Sequence, residues 1–264
     1  MQIDPQQTRR LSEVDPPVSC LSDDGRVKGW HTALCAWLVS LCTAVPVCAA
    51  PAADAASEPW DAPAFSADPQ IVLRTLSEQP APEDADCEVL LEEETHLFDE
   101  QGRRQSTYRT VVHCLTKDGV RNWSNVGASW APWYQKRPEI RTRVIAPEGQ
   151  VFTLDPKSIS ESPVGQIAPG VTTDARVLLA PLPGITVGAV VEREIVTRES
   201  RPFFSDGVLG QVGLFSMWPA RKLRLTIEAP ATLPLRYKVV GLKLKPTESV
   251  RDGGRTLVFE RGPV

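Results

Sequence analysis

Polar and apolar residues alternate along much of the second half of the chain. The segment 221–229 is the clearest case, because Leu223, Leu225 and Ile227 stand at every second position with charged or polar residues between them. A period of two places the apolar side chains on one face of a strand and the polar side chains on the other. The pattern therefore predicts a half-buried antiparallel strand.

Further strands are predicted on both sides of this one. Each is a short apolar or alternating run that ends near proline or glycine, and the chain has 24 prolines and 17 glycines to supply such turns. No strand–helix–strand rhythm appears, so the expected fold class is all-β, an antiparallel β-sandwich. The other predicted strands are 87–98, 103–115, 140–146, 150–154, 176–180, 188–197, 235–245 and 256–260.

The first two predicted strands form a hairpin around the turn 99–102, which begins with Asp and ends with Gly. A two-residue loop would place Cys87 opposite Cys114 and Glu92 opposite Arg109. A three-residue loop with a bulge at the glycine would shift the pairing by one position and put the two cysteines on opposite faces. The turn sequence slightly favours the second register, and both a disulfide and two free thiols stay open.

The long apolar stretch of the sequence covers residues 30–53. Its proline break and alanine-rich end are typical of a secretion signal that is cleaved between Ala49 and Ala50. A membrane anchor is the competing interpretation, but the run is barely long enough to span a bilayer. Residues 1–26 lack the short positive start of a signal, which favours a start of translation near Val27.

These observations divide the chain into four parts. Residues 1–49 are predicted to be a signal peptide with a helix of its own, and residues 50–67 a disordered linker rich in Ala, Pro and Asp. Residues 68–84 hold a short N-terminal helix and its connection, because Asp-Pro supplies an N-cap and a first helical residue. Residues 85–264 form the sandwich. Export would place it in the periplasm or outside the cell, where disulfides are permitted.

Charge and the candidate reactive groups narrow the expected function. The net charge is −4 and no basic tract exists, so no nucleic-acid partner is expected. His113 and Cys114 are neighbours on a predicted strand, so their side chains point to opposite faces and do not form a base–nucleophile pair. The sequence has no metal-ligand spacing, and no cofactor is expected.

Four aromatic residues crowd into one short segment: Trp123, Trp130, Trp133 and Tyr134. Rings held on a rigid sheet pack into a core, contact another domain or stack on sugars. The segment is therefore a candidate interface or ligand platform, with a structural role as the competing interpretation.

Several segments taken together resemble a known family. In their order and spacing they are similar to the domain of unknown function 3857 (DUF3857), a β-domain that precedes transglutaminase-like cores in exported bacterial proteins. The resemblance covers about residues 85–245, most of the chain beyond the predicted signal. Its motifs are YRTVV (108–112), KDGV (117–120), WAPWY (130–134), IRTRVIAPEG (140–149), DAR (174–176), PLPG (181–184), GAVVE (188–192), PFF (202–204) and the strand within 219–230.

The resemblance also implies a role. In that family the thiol chemistry belongs to a following domain with a Cys–His–Asp site, which here would lie beyond residue 264, so the chain itself is not expected to be an enzyme. The expected function is an exported, non-catalytic accessory domain that positions or supports an adjacent transglutaminase-like domain or an envelope partner. Membrane contact is expected only through the uncleaved signal. A carbohydrate- or peptidoglycan-binding module is the alternative, and a hydrolase split across chains is a third.

Overall fold

The computed structural model describes residues 58–168, 170–204 and 210–264. The predicted signal peptide, its cleavage site between Ala49 and Ala50 and the first part of the predicted linker lie outside the described residues. The described part is mostly β-structure, as the alternation predicted. Its α-helices are α1 (Pro69–Ser77) and α2 (Lys117–Asn122), and 3-10 helices cover Pro59–Asp61 and Pro156–Ser158.

All but one of the predicted runs form strands, and the structure adds several short strands that carried no sequence pattern. They are β1 (Cys87–Phe98), β2 (Arg104–Cys114), β3 (Asn125–Trp130), β4 (Glu139–Ile145), β5 (Val151–Thr153), β6 (Ser160–Pro163), β7 (Gln166–Ala168), β8 (Val171–Thr172), β9 (Arg176–Pro181), β10 (Val190–Arg198), β11 (Leu223–Pro230), β12 (Thr247–Arg251) and β13 (Gly254–Arg261).

Most of these strands form one large sheet. Eight strands lie in the order β12-β13-β11-β1-β2-β10-β4-β5, three others form the sheet β3-β9-β6, and β7 pairs with β8. The small sheet covers part of one face of the large sheet, which we call the front face. The resulting front core contains residues from both sheets. Among them are Val112, Val144 and Val191 from the large sheet and Val126, Leu178 and Ala180 from the small one.

One pair departs from the predicted antiparallel arrangement. β1 and β11 run parallel, with Glu92 beside Leu223 and Leu97 beside Glu228. Parallel neighbours cannot be joined by a tight turn and are usually connected through a helix. Here the connection passes through most of the domain. The absence of a strand–helix–strand rhythm therefore did not exclude this parallel pair.

The opposite face of the large sheet, the back face, is covered by the N-terminal residues 58–79. Trp60 is 1% exposed and packs with Val72 and Leu76 of α1 against Leu91 and other buried residues of the sheet. The prediction that the linker continues to residue 67 is wrong for this part, because one buried tryptophan anchors a segment whose composition is otherwise typical of disorder. Helix α1 begins after Asp68, whose carboxylate accepts a hydrogen bond from the Gln70 N–H.

The predicted strand 235–245 is also wrong, because this segment makes no sheet pairing. Leu235, Val239 and Leu244 pack instead against a core that contains Leu225 and Phe259. The alternating apolar residues therefore belong to an irregular segment that covers the end of the sheet. Burial on one side produces the same period in a covering segment as in a strand.

Candidate functional site

The four aromatic residues singled out in the sequence do not form one group. Trp123 is 5% exposed and lies in the front core, with its ring centroid 5.8 Å from that of Trp218. The guanidinium carbon of Arg193 stands 4.4 Å from the Trp123 ring and covers it. Trp130 also packs against the front core. These two tryptophans stabilise the fold and are not available as a platform.

Trp133 and Tyr134 lie at the surface beside two phenylalanines. The Trp133 centroid is 4.5 Å from that of Tyr134 and 5.3 Å from that of Phe203. Phe203 in turn lies 5.0 Å from Tyr134 and 4.6 Å from Phe204. We call these four residues the aromatic cluster. Phe203 and Phe204 were missed as site residues, because they are distant along the chain and no local pattern links them to Trp133.

Two backbone segments bring the aromatic cluster together. The loop that follows β3 lies antiparallel to the end of β10, where Gln135 bridges Glu199. The Lys136 N–H donates to the Arg198 carbonyl at 2.8 Å, and the Ser200 N–H donates to the Tyr134 carbonyl at 2.8 Å. These bonds hold the backbone at Tyr134 beside Ser200, and the other rings reach the cluster from positions close to this contact.

The aromatic cluster presents apolar surface with a cation at its edge. Trp133, Phe203 and Phe204 are 43%, 44% and 51% exposed. The Arg201 guanidinium carbon lies 5.1 Å from the Trp133 centroid. Neighbouring rings are tilted by 49° to 80° from one another, so the surface is ridged and not flat. Clustered exposed aromatics with an arginine are typical of protein-binding surfaces.

A buried carboxylate lies near Tyr134 of the aromatic cluster. Glu199 accepts a hydrogen bond from the Arg104 N–H at 3.0 Å, and its other oxygen lies 3.5 Å from the Arg104 guanidinium. Burial and the nearby Glu199 charge raise the pKa of Tyr134. The phenol is therefore neutral at ordinary pH, and Tyr134 acts as an aromatic surface with a hydroxyl group.

The hairpin of β1 and β2 contains both registers that the sequence left open. Near the turn, Phe98 pairs with Arg104, which is the register of the longer loop. The pairing then shifts at Leu90, an unpaired residue in β1 that forms a β-bulge. Beyond the bulge, Cys87 lies directly opposite Cys114.

Both cysteines are completely buried, and each is a free thiol in this structure. The Cys114 N–H donates to the Ala189 carbonyl at 2.9 Å, and the Cys114 carbonyl accepts from the Gly188 N–H. Since both groups point toward β10, Cys87 and Cys114 form a non-hydrogen-bonded pair of the β1–β2 ladder. The neighbouring Cys87 thiol and burial raise the pKa of Cys114, so its thiol is protonated at neutral pH.

Helix α2 closes over this pair at Gly119. A Cβ on Gly119 would lie 2.8 Å from the Cys87 sulfur and closer still to the Asp86 carbonyl oxygen. The helix begins after Thr116, whose hydroxyl accepts from the N–H groups of Asp118 and Gly119 at 3.2 Å each. The close approach therefore requires glycine at this position.

The histidines lie apart from the thiols. His113 is opposite Glu88, on the other face of the hairpin from Cys114, and burial lowers its pKa. His96 has its Nδ1 3.0 Å from the Ser106 hydroxyl. Its Nε2 is 3.1 Å from the Glu94 carboxylate but in poor hydrogen-bonding geometry. In the described part of the chain, no three His, Cys, Asp or Glu side chains are grouped to hold a metal ion.

A buried ionic group on the back face was not predicted. Glu192 is 2% exposed and accepts hydrogen bonds from the Nη2 atoms of Arg109 and Arg143, both at 2.7 Å. Of the two registers left open by the sequence, the slightly favoured one holds near the turn, so Glu92 lies opposite Thr110 and not opposite Arg109. Glu192 instead reaches Arg109 from the neighbouring strand β10.

The same ionic group fastens the N-terminal residues to the sheet. Arg109 donates to the Ala62 carbonyl at 2.8 Å, and Arg143 donates to the Ala67 carbonyl at 2.9 Å. The Phe65 N–H donates to Glu192 at 2.8 Å. Backbone groups of residues 62–67 therefore make hydrogen bonds with all three buried charges, in addition to those the charges make with one another.

An open cavity of about 220 Å³ lies between the N-terminal residues and the back face. Asp61, Glu93 and Glu194 line it, and each is paired with an arginine or lysine. Their charge is therefore already balanced within the protein, and the cavity shows no group prepared for a charged ligand.

The chain matches the model of a known protein family. The family model of a domain of unknown function with a solved structure, DUF3857, matches residues 100–264. The match covers more than half of the chain, and the protein belongs to this family. No curated protein matches the chain.

Solved structures share the fold at low sequence identity. A protein from Parabacteroides distasonis, described as a "putative protease", superimposes with a TM-score of 0.61 at 14% identity, over 68% of this chain and 36% of its own. The present chain thus spans about a third of that protein.

Two other structures are more distant. A two-domain M1 zinc metallopeptidase with bound L-tryptophan gives a TM-score of 0.32 at 15% identity, over 70% of this chain and 42% of its own. A protein of Legionella pneumophila, described as a "putative nutrient binding protein", gives a TM-score of 0.31 at 9% identity, over 67% of this chain and 63% of its own.

In the described residues, neither α-helix has the length and apolar character needed to cross a membrane.

Proposed function

We propose that this chain is an exported, non-catalytic accessory β-domain that positions or supports an adjacent transglutaminase-like domain or an envelope partner. The observation that carries the proposal is the aromatic cluster. It groups three well-exposed rings with Tyr134, next to two backbone hydrogen bonds that join the loop after β3 to the end of β10. Large exposed apolar side chains cost solubility, and in a folded domain they typically mark a surface that another protein covers.

The comparison with the Parabacteroides protein supports this proposal at the level of the fold. The shared architecture accounts for 36% of that chain, so it occurs there as one part of a larger protein. A β-domain that exists beside other domains needs a surface to contact them. The aromatic cluster has the composition of such a surface, because aromatic residues and arginine are enriched at protein interfaces.

Crosslinking from inside the aromatic cluster tests the proposed partner. A photoreactive phenylalanine analogue at position 133 should form a covalent adduct in cells with a transglutaminase-like protein or an envelope protein. Position 240 is the matched control, since Val240 is 74% exposed and lies outside the cluster. Equal adducts from both positions, or none from position 133, would contradict the proposal.

The non-catalytic part of the proposal has a separate test. The purified chain should neither hydrolyse peptides nor crosslink amines to glutamine side chains above a protein-free blank. A rate above the blank that survives repurification would overturn this part.

Export is the remaining part of the proposal. We expect the protein recovered from the cell envelope to begin at Ala50, because the apolar run ends in a sequence suited to signal cleavage after Ala49. N-terminal sequencing checks this expectation. A full-length protein confined to the cytoplasm would contradict export without affecting the proposed surface.

Binding of carbohydrate or peptidoglycan is the second candidate function, and the exposed ring of Trp133 favours it. The tilt between neighbouring rings favours a protein partner, because stacking on a sugar is best served by an open flat ring face. Sedimentation with purified peptidoglycan tests the alternative. Binding that is saturable in the wild type and lost in Trp133→Ala, with an unchanged fold, would support it over the protein interface.

A further inference from the structure

The pair Cys87–Cys114 has the backbone arrangement that a cross-strand disulfide needs. Directly opposed residues of a non-hydrogen-bonded antiparallel pair have Cα atoms about 4.5 Å apart. Disulfides span Cα separations of about 4.4–6.8 Å. Both side chains are buried on the same face of the hairpin. Bond formation therefore requires rotation of side chains and no change of strand register.

The β-bulge creates this opposition. Without the extra residue Leu90, the register set by the turn would continue along the hairpin and Cys87 would face away from Cys114. Leu90 and Leu91 are both fully buried beside Trp60 on the back face. The bulge therefore fills the back core with two leucines and aligns both cysteines on the front face.

We propose that Cys87 and Cys114 are an oxidation site that a thiol–disulfide oxidant converts to a disulfide. Formation of this disulfide in cells rests on the proposed export, because such oxidants act outside the cytoplasm. With oxidised glutathione, one thiolate attacks the reagent disulfide and releases one glutathione thiol. The second cysteine then displaces the other glutathione. Two protein thiols lose two hydrogens and two electrons, and two molecules of reduced glutathione form.

Burial dictates when the reaction takes place. Both sulfurs are inaccessible in the folded domain, and α2 lies over Cys87 at Gly119. Exchange needs an accessible thiolate, so the bond forms before α2 and the small sheet close over the hairpin. Once formed, it is shielded from reductants in the same way. The result is a structural disulfide set during folding, not a surface redox switch.

Refolding tests the site directly. The full chain is unfolded and reduced, refolded with oxidised and reduced glutathione, quenched with iodoacetamide and digested with trypsin without reduction. Tryptic peptides 75–103 and 110–117 should appear as one linked species, about 2 Da below the sum of the two free-thiol peptides. Reduction should release them. The four cysteines at 20, 35, 42 and 48 fall in other peptides and do not confuse the assignment.

Stability supplies an independent readout. The urea midpoint of the oxidised wild type should fall when reductant is added to the unfolding reaction, because the bond restricts the unfolded hairpin. Cys114→Ala removes one partner and should show the same midpoint with and without reductant. Refolded wild type in which both cysteines are alkylated, or in which Cys87 is linked to a leader cysteine, would overturn the site.

A measurement on protein taken from cells tests the oxidation site and the proposed export separately. Protein trapped with iodoacetamide directly from cells should contain the linked peptides. If the bond forms in refolding but both thiols are free in cells, the proposed export fails and the oxidation site stands. If the bond forms in neither experiment, the site itself is overturned.

Discussion

At the scale of single residues, Gly119 shows how the lack of a side chain determines packing. A helical position normally favours alanine over glycine by about 1 kcal/mol. At Gly119, however, the added methyl group would overlap the Asp86 carbonyl and the Cys87 sulfur, neither of which is the free end of a flexible side chain. The steric clash outweighs the gain in helix propensity, so alanine at position 119 should destabilise the domain.

We therefore predict that Gly119→Ala destabilises the domain by about 2 kcal/mol, within the range for overfilling a packed site. Urea unfolding followed by tryptophan fluorescence measures the change. Gly210→Ala is the matched control, since the nearest atom to an added Cβ there lies 3.8 Å away on Arg104. An unchanged or raised midpoint for Gly119→Ala would contradict the predicted contact.

Glu192 is a second position where a single functional group, the buried carboxylate, strongly affects stability. Glu192→Gln leaves Arg109 and Arg143 buried without a counter-charge, and removal of one partner from a buried ionic group costs about 3–5 kcal/mol. Glu194→Gln removes a carboxylate two residues along β10, whose partner Arg141 is largely exposed, and should cost less than about 1 kcal/mol. Equal losses in urea unfolding would disprove the distinction.

His113 gives the domain a dependence on pH. Burial lowers the pKa of His113 in the folded protein, while the unfolded chain has a value of about 6.5. The unfolded state therefore binds a proton first as the pH falls. The stability contributed by neutral His113 is complete above about pH 6.5 and is lost as the pH falls through the folded pKa.

We expect the free energy of unfolding to decrease from pH 7 toward pH 5 in the wild type and to decrease less in His113→Gln. Urea titrations at a series of pH values check this comparison. The same slope in both proteins would show that other groups govern the acid response.

At the scale of elements, β11 and β1 show what the sequence pattern can specify. The alternation in 221–229 depends only on one buried and one polar face, and β11 forms there as predicted. β1 also forms as predicted, but its bulge at Leu90 was not visible, because the turn fixes register only locally. The segment 235–245 has the same alternation as a strand without pairing, since periodicity reports burial and not hydrogen bonding.

The aromatic cluster was half predictable for a related reason. Trp133 and Tyr134 stood out through local density, whereas Phe203 and Phe204 join them only through the contact between two distant loops. Local density also included Trp123, which the front core buries. A sequence shows which residues are aromatic, but the chain path decides which of them share a surface.

The N-terminal residues 58–79 behave as an element of the domain and not as a tether. Trp60→Ala should lower the free energy of unfolding by about 3–5 kcal/mol, because the indole fills the space between α1 and the sheet. Ile71→Ala on the same segment should cost less than about 1 kcal/mol, since Ile71 is 43% exposed. Urea unfolding compares the two, and a neutral Trp60→Ala would mean that the segment contributes little.

At the scale of the whole molecule, the family match and the structural domain have different boundaries. The match begins at residue 100, between β1 and β2, although β1 pairs with both β2 and β11 near the middle of the large sheet. The domain as a physical unit therefore includes the residues from 58 onward that the structure describes. A sheet divided at β1 would expose two unpaired edges and both cores.

This difference predicts the outcome of two truncations. Residues 58–264 should unfold cooperatively in urea, whereas residues 100–264 should show no cooperative transition, because they lack the central strand and the cover of the back face. Circular dichroism and fluorescence measured on both proteins provide the comparison. Cooperative unfolding of 100–264 would mean that the sheet can close without β1.

The parallel contact between β1 and β11 also sets the order in which the protein can be completed. β1 leaves the ribosome early, but the neighbour that occupies its second edge is made more than a hundred residues later, so contact order is high and closure is slow. Until β11 is made, the middle of the sheet is open and the growing chain stays incompletely folded. Stalled chains whose β11 has emerged from the ribosome should therefore resist proteases, and stalled chains whose β11 has not emerged should not.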